Sequence, residues 1–214
     1  MANMVRRDKQ SGVIFLNNKA YYNKGKVNEA GSLVFKKYIH FLNGGFYIPY
    51  SVGEPDYKVI VTFHDTVYKN GNAILENSRN DNYLRFGVFQ NGYYTSDGNR
   101  LYIFGSWSVG EHTMIINDNG KNKLDGEIVC NYNTPSYFYS LIGIGYGNIE
   151  NGTAEQKISP STYLLDFKIE SISTGNLYCH LKPALINNIP CMYDIINDVV
   201  YSRVGMEVFD EIPI

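Results

Sequence analysis

The chain has 214 residues, 44% of them hydrophobic, and a formal net charge of −2. That length buries one sizeable core, and the near-neutral balance argues against a nucleic-acid partner. No stretch approaches the roughly 18 apolar residues that cross a bilayer, and the N-terminus lacks the apolar run of a secretory leader, so neither membrane insertion nor a leader is expected.

Residues 1–36 carry Arg6, Arg7 and Lys9 and then the polar, Gly-punctuated GVIFLNNKAYYNKGKVNEAGS. They read as an N-terminal arm for docking or oligomerisation, with one short strand at 13–16. From 37 to 214 period-two patterns recur, and helical periodicity is almost absent. Strands are predicted at 38–42, 46–48, 58–63, 74–76, 84–90, 100–104, 112–117 and 122–129, then at 137–143, 162–170, 177–182, 192–194 and 199–202. The pairs Asn43-Gly44, Asn70-Gly71, Asn91-Gly92, Asp97-Gly98, Asn119-Gly120, Asn151-Gly152 and Thr174-Gly175 punctuate them. Asn-Gly and Asp-Gly supply the positive φ that tight hairpin turns require. In YKVIVTF, Tyr57, Val59, Val61 and Phe63 share one face, against Lys58, Ile60 and Thr62 on the other. Half-buried strands of this kind pack as a two-layer sandwich, and their number over this length predicts a large all-β jelly roll.

The composition adds 19 Tyr and 20 Gly, which suits short strands and tight turns. Cys130, Cys179 and Cys191 fit neither a zinc site nor a redox pair and are expected to be reduced and mostly buried. Near the C-terminus, NIPCMYDIINDVVYSRVG holds Pro190, Tyr193, Asp194, Asn197, Tyr201 and Gly205. Asp194 and Asn197 can bond backbone N–H groups of a turn, while Tyr193 and Tyr201 can bury their rings and keep their hydroxyls at the rim. This stretch is predicted to be a structural closing hairpin.

Several segments, taken in order, resemble one family. KYIHFLNGGFYIPY with DYKVIVTFHDT, then NYLRFGVFQNGYY, GEHTMIINDNGKNKLDGEIV and FYSLIGIGYGN with TYLLDFKIES are similar to successive strands of concanavalin A-like (laminin G-like) jelly rolls. LKPALINNIPCMYDIINDVVYSRVG resembles the closing segment of such domains in bacteriophage tail and fibre proteins, through Leu181, Pro183, Tyr193, Asp194, Asn197, Tyr201 and Gly205. Cys191-Met192 stands where that family often has Gly and an apolar residue. The resemblance implies a virion structural protein, a head or tail fibre or decoration component made in the host cytoplasm. It also implies a dimer or trimer, with residues 1–36 docking on other virion proteins.

Catalysis is not expected. Glycoside hydrolases on this fold pair carboxylates in E-x-D-x-x-E, and the nearest match, Glu54-Pro55-Asp56, has Val59 where the second Glu should stand. His40, His64, His112 and His180 lack metal spacing, no nucleophile-elbow motif is present, and NDNGKNKLDG fits a hairpin better than a Ca²⁺ loop. No cofactor or metal is therefore expected. The alternative is a lectin-like module on a virion or bacterial surface that contacts a host glycan or a protein through Trp107, Tyr93, Tyr94, Tyr132 and Tyr137, all read as lying in or beside loops.

Overall fold

The structure, a computed structural model, describes residues 5–7, 14–16, 19–22, 33–42, 46–48, 57–77, 84–97, 101–131, 142–144, 146–147, 155–156, 161–202 and 205–213. Short strands come first: β1 (Val5–Arg7), β2 (Ile14–Leu16), β3 (Lys19–Tyr22), β4 (Leu33–Phe35), β5 (Tyr38–Phe41) and β6 (Phe46–Ile48). The middle of the chain holds β7 (Tyr57–Asp65), β8 (Asn72–Asn77), β9 (Leu84–Phe89), β10 (Gly92–Asp97), β11 (Leu101–Phe104), β12 (Gly110–Ile116), β13 (Lys121–Leu124) and β14 (Glu127–Asn131). The last part adds β15 (Ile142–Ile144), β16 (Tyr146–Gly147), β17 (Glu155–Gln156), β18 (Thr162–Ser171), β19 (Leu177–Ile186), β20 (Ile189–Asp194), β21 (Val199–Ser202) and β22 (Met206–Phe209). The described residues contain no helix.

Most of these strands form two large antiparallel sheets, beside the three-stranded β1-β2-β3 and the pair β16-β17. One runs β11-β10-β9-β8-β15-β6, and the other runs β14-β13-β12-β7-β18-β19-β20-β21, with β4 and β5 set against β19 and β18 and β22 paired to β5. The alternation in YKVIVTF carries through all of β7, whose odd-numbered residues from Tyr57 to Asp65 are buried while the even ones are half-buried. Phe63 of β7 meets Phe86 of β9 at 5.4 Å and Tyr93 of β10 at 5.8 Å between ring centroids, so the two sheets close face to face over an aromatic centre. Val59, Val61, Met114, Ile116, Phe167, Ile169 and Leu181 extend the same core. Each such side chain, fully withdrawn from water, contributes about 1.5–3 kcal/mol before ordering costs. The chain is an all-β antiparallel sandwich.

Close approach of strands dictates one residue in this packing. A Cβ on Gly87 of β9 would fall 1.8 Å from the backbone oxygen of Asn72 on β8, so only glycine fits there.

The turns refine the sequence reading. Asn119-Gly120 forms a two-residue turn with both φ positive, as expected. Around Asn91-Gly92 the turn is instead Gln90-Asn91, both at positive φ, and Gly92 opens β10 opposite Phe89. The span 122–129, read as one strand, is two: Asp125 (φ 51°) and Gly126 (φ 88°) turn the chain between β13 and β14. Residues 5–22 hold the three-stranded meander β1-β2-β3, and β4, also within the stretch read as an arm, pairs with Ala184–Ile186 of β19. Asn43-Gly44, Gly98 and Asn151-Gly152 lie outside the described residues.

In the C-terminal hairpin, Asp194 Oδ1 accepts from the backbone N–H groups of His180 (3.1 Å), Ile196 (3.0 Å) and Asn197 (3.4 Å). The Asn197 side-chain amide donates both to Asp194 Oδ2 and to the Tyr178 carbonyl, each at 2.7 Å. Tyr201 is buried in the core, Tyr193 is half-buried and donates its hydroxyl to Asp198, and Pro190 offers its carbonyl to Ser202. Gly205, at φ 90°, accepts from the Leu42 N–H just before β22 pairs with β5. Cys179 and Cys191 are buried free thiols, and burial pushes Cys191 up to about 12 and Cys179 far above its usual range. The side chain of Cys130 lies outside the described residues.

Candidate functional site

One end of the sandwich carries two polar clusters. There β7 ends at Asp65, which stands opposite Gly110 at the start of β12 and Thr162 at the start of β18. The loop from Gly105 to Val109 crosses from β11 in the small sheet to β12 in the large one. Its Trp107 N–H donates to the Asn91 carbonyl (2.8 Å), tying the loop to the β9–β10 turn. Asn70 and Tyr68 brace the same turn, accepting from the N–H groups of Gln90 (2.9 Å) and Asn91 (3.0 Å).

Beneath this loop lies a buried polar chain. Asn72 Nδ2 donates to Thr162 Oγ1 (2.8 Å), Thr162 donates to Asp65 Oδ1 (2.5 Å), and the Trp107 indole N–H donates to Asp65 Oδ2 (3.1 Å). Both carboxylate oxygens are thus satisfied, as a carboxylate that is only 1% exposed requires. Burial still raises the Asp65 carboxyl above the usual aspartate range, opposed by the Thr162 and Trp107 hydrogen bonds and by His112 and His64. Burial likewise raises the Tyr93 hydroxyl, and the nearby Asp65 charge adds to it.

At the loop itself a second set converges. His112 Nδ1 lies 2.8 Å from Asp125 Oδ2, and His112 Nε2 lies 3.2 Å from Ser108 Oγ and 3.2 Å from the Ser108 carbonyl oxygen. Asp125 is fixed by its turn, since its N–H donates to the Thr113 carbonyl and its Oδ1 accepts from the Thr113 N–H at 2.7 Å. The imidazole packs against Phe63 and Tyr93, which holds its plane. Ser108 and Asp125 are exposed. The His112–Asp125 contact depends on the β13–β14 turn. Had Asp125-Gly126 been read as a turn, Asp125 would have been placed beside the strand that carries His112.

The predicted contact residues are dispersed. Trp107 is half-buried, edge-on to Tyr68 at 5.6 Å, and packed against the core. Tyr93 and Tyr94 are a correction. They are strand residues of β10, 0% and 7% exposed, and Tyr93 stacks on Phe86 in the core. The displaced turn explains the difference, because with Gly92 already in the strand Tyr93 points into the core and Tyr94, on the opposite face, packs edge-on against Phe89. Tyr132 and Tyr137 lie outside the described residues. So do Glu54 and Asp56, while Val59 is buried in the core. In NDNGKNKLDG, Asp118 is held by Lys123 (2.5 Å) and Lys58 (3.7 Å), and the Lys123 hydrogen bond lowers its carboxyl below the usual range. No group of three or more His, Cys, Asp or Glu suited to a metal occurs among the described residues. The chain matches no protein-family model and no curated protein.

Proposed function

We propose that this chain is a bacteriophage virion structural protein, a head or tail fibre or decoration component on a concanavalin A-like jelly roll, that mediates assembly or surface attachment. The ordered strand motifs and the closing segment support the family. The assembly role is carried by an apolar strip on the outward face of the large sheet.

Along β19, Cys179 and Leu181 point into the core, so Lys182, Ala184 and Ile186 share the opposite side, with Lys182 exposed, Ile186 half-buried and Ala184 covered. The register puts Phe35 and Cys191 in line with Ala184, and Leu33 and Ile189 in line with Ile186. Phe35 is 48% and Ile189 57% exposed at opposite corners of this strip, while Ala184 and Cys191 between them are fully covered. A strip of this kind, beside the strand where the N-terminal segment joins the sandwich, suits a neighbouring subunit. The lectin-like alternative rests on Trp107 alone among the described residues, because Tyr93 and Tyr94 are interior.

Immunogold labelling of purified phage particles, with antibody against residues 37–214, tests the reading. Gold at a defined head or tail position is expected for the wild type, and the double variant Phe35→Asp/Ile189→Asp should fold but fail to incorporate. Unlabelled particles beside labelled bacterial surfaces would overturn the virion assignment. Normal incorporation of the double variant would remove the strip from the assembly contact.

A further inference from the structure

We propose that Ser108, His112 and Asp125 form a serine-nucleophile site that hydrolyses small acyl esters, such as acetyl groups on the surface of a larger molecule. The proposal is independent of particle assembly. It rests on a hydrogen-bond order that acyl transfer requires: hydroxyl to Nε2, and Nδ1 to a carboxylate.

With Nδ1 protonated toward Asp125, Nε2 is the acceptor that faces the Ser108 hydroxyl at 3.2 Å. As Ser108 Oγ bonds to the ester carbonyl carbon, His112 Nε2 takes the hydroxyl proton. The Ser108 carbonyl, also 3.2 Å from Nε2, can then accept from the new N–H, so the imidazolium is bonded on both sides. Collapse of the tetrahedral intermediate breaks the bond to the alcohol oxygen, and His112 returns the proton to that leaving group. A solvent water, deprotonated by His112, then attacks the acyl carbon; the bond to Ser108 Oγ breaks, His112 returns the proton to that oxygen, and the carboxylic acid leaves.

The supports are built into strands rather than left to a free loop. The ring is wedged on Phe63 and Tyr93, Asp125 is pinned twice to Thr113, and the loop is anchored through Trp107 to Asp65 and Asn91. Ser108 and the flanking Val109, which is 63% exposed, leave the nucleophile open to a group presented by a bulky partner rather than to a long buried acyl chain.

The test uses the purified full chain, a fluorophosphonate probe with peptide mass spectrometry, and hydrolysis of p-nitrophenyl acetate. Wild type should be labelled on Ser108 and turn over the ester. Ser108→Ala should lose both, which is a mild change at an exposed position. Asp125 acts as a positioning residue. Asp125→Asn keeps the oxygen that accepts from Thr113 but turns an amide toward Nδ1, which favours the wrong tautomer; kcat should fall more than about tenfold with KM little changed. Absence of label on Ser108, hydrolysis by wild type no faster than by Ser108→Ala, or a kcat that Asp125→Asn leaves unchanged would each overturn the proposal.

Discussion

Asp65 shows how one side chain can be both buried and acidic without being idle. Its two oxygens hold a strand start through Thr162 and a loop through Trp107, so it acts as a clamp between the sheets' ends. Burial raises its carboxyl, so the folded protein keeps a proton that the unfolded chain has released. Unfolding then sheds protons over that interval, and stability falls as pH rises from the ordinary aspartate range, near 4, through the raised value. Urea unfolding at a series of pH values should show this decline in the wild type, and Asp65→Asn should flatten it. A variant profile with the same slope would assign the decline to another group.

At the scale of elements, the closing hairpin depends on one acceptor more than on its rings. Asp194 binds three backbone N–H groups, and it is 1% exposed. Asp194→Ala leaves those donors without their acceptor, and should cost about 3 kcal/mol in urea denaturation. The sequence showed this element well, because Asp and Asn near a turn act through local geometry that a short window contains. It also showed β7, where burial on one face alternates strictly along nine residues. Other features depended on partners far along the chain. Tyr93 looks like a loop aromatic until the β9–β10 turn is known to start one residue earlier. Ser108, His112 and Asp125 are individually ordinary, and only the fold of β12, β13 and their following turn brings them together. The strand β4 was hidden because LVF is too short to show a period, and its pairing with β19 crosses most of the chain.

For the whole molecule, the N-terminal segment joins the large sheet through β4, and β3 also lies against β21 and β6. Removing residues 1–32 leaves β4 in place, whereas removing 1–36 strips a strand from Ala184–Ile186 and bares that edge. The shorter truncation should remain soluble, losing only what β3 contributes against β21 and β6, and the longer one should unfold earlier than it or aggregate, as thermal scans with light scattering would show. Equal behaviour of the two would mean that β4 adds nothing to the sheet. Trp107 has a consequence of a different kind. It is the only tryptophan in the chain, and its indole is bonded to the buried Asp65 carboxylate. Excited at the red edge of its absorption, where the 19 tyrosines no longer absorb, the protein therefore emits from a single known place, beside both the buried clamp and the Ser108 loop, so loosening of that end can be followed optically without attaching a dye.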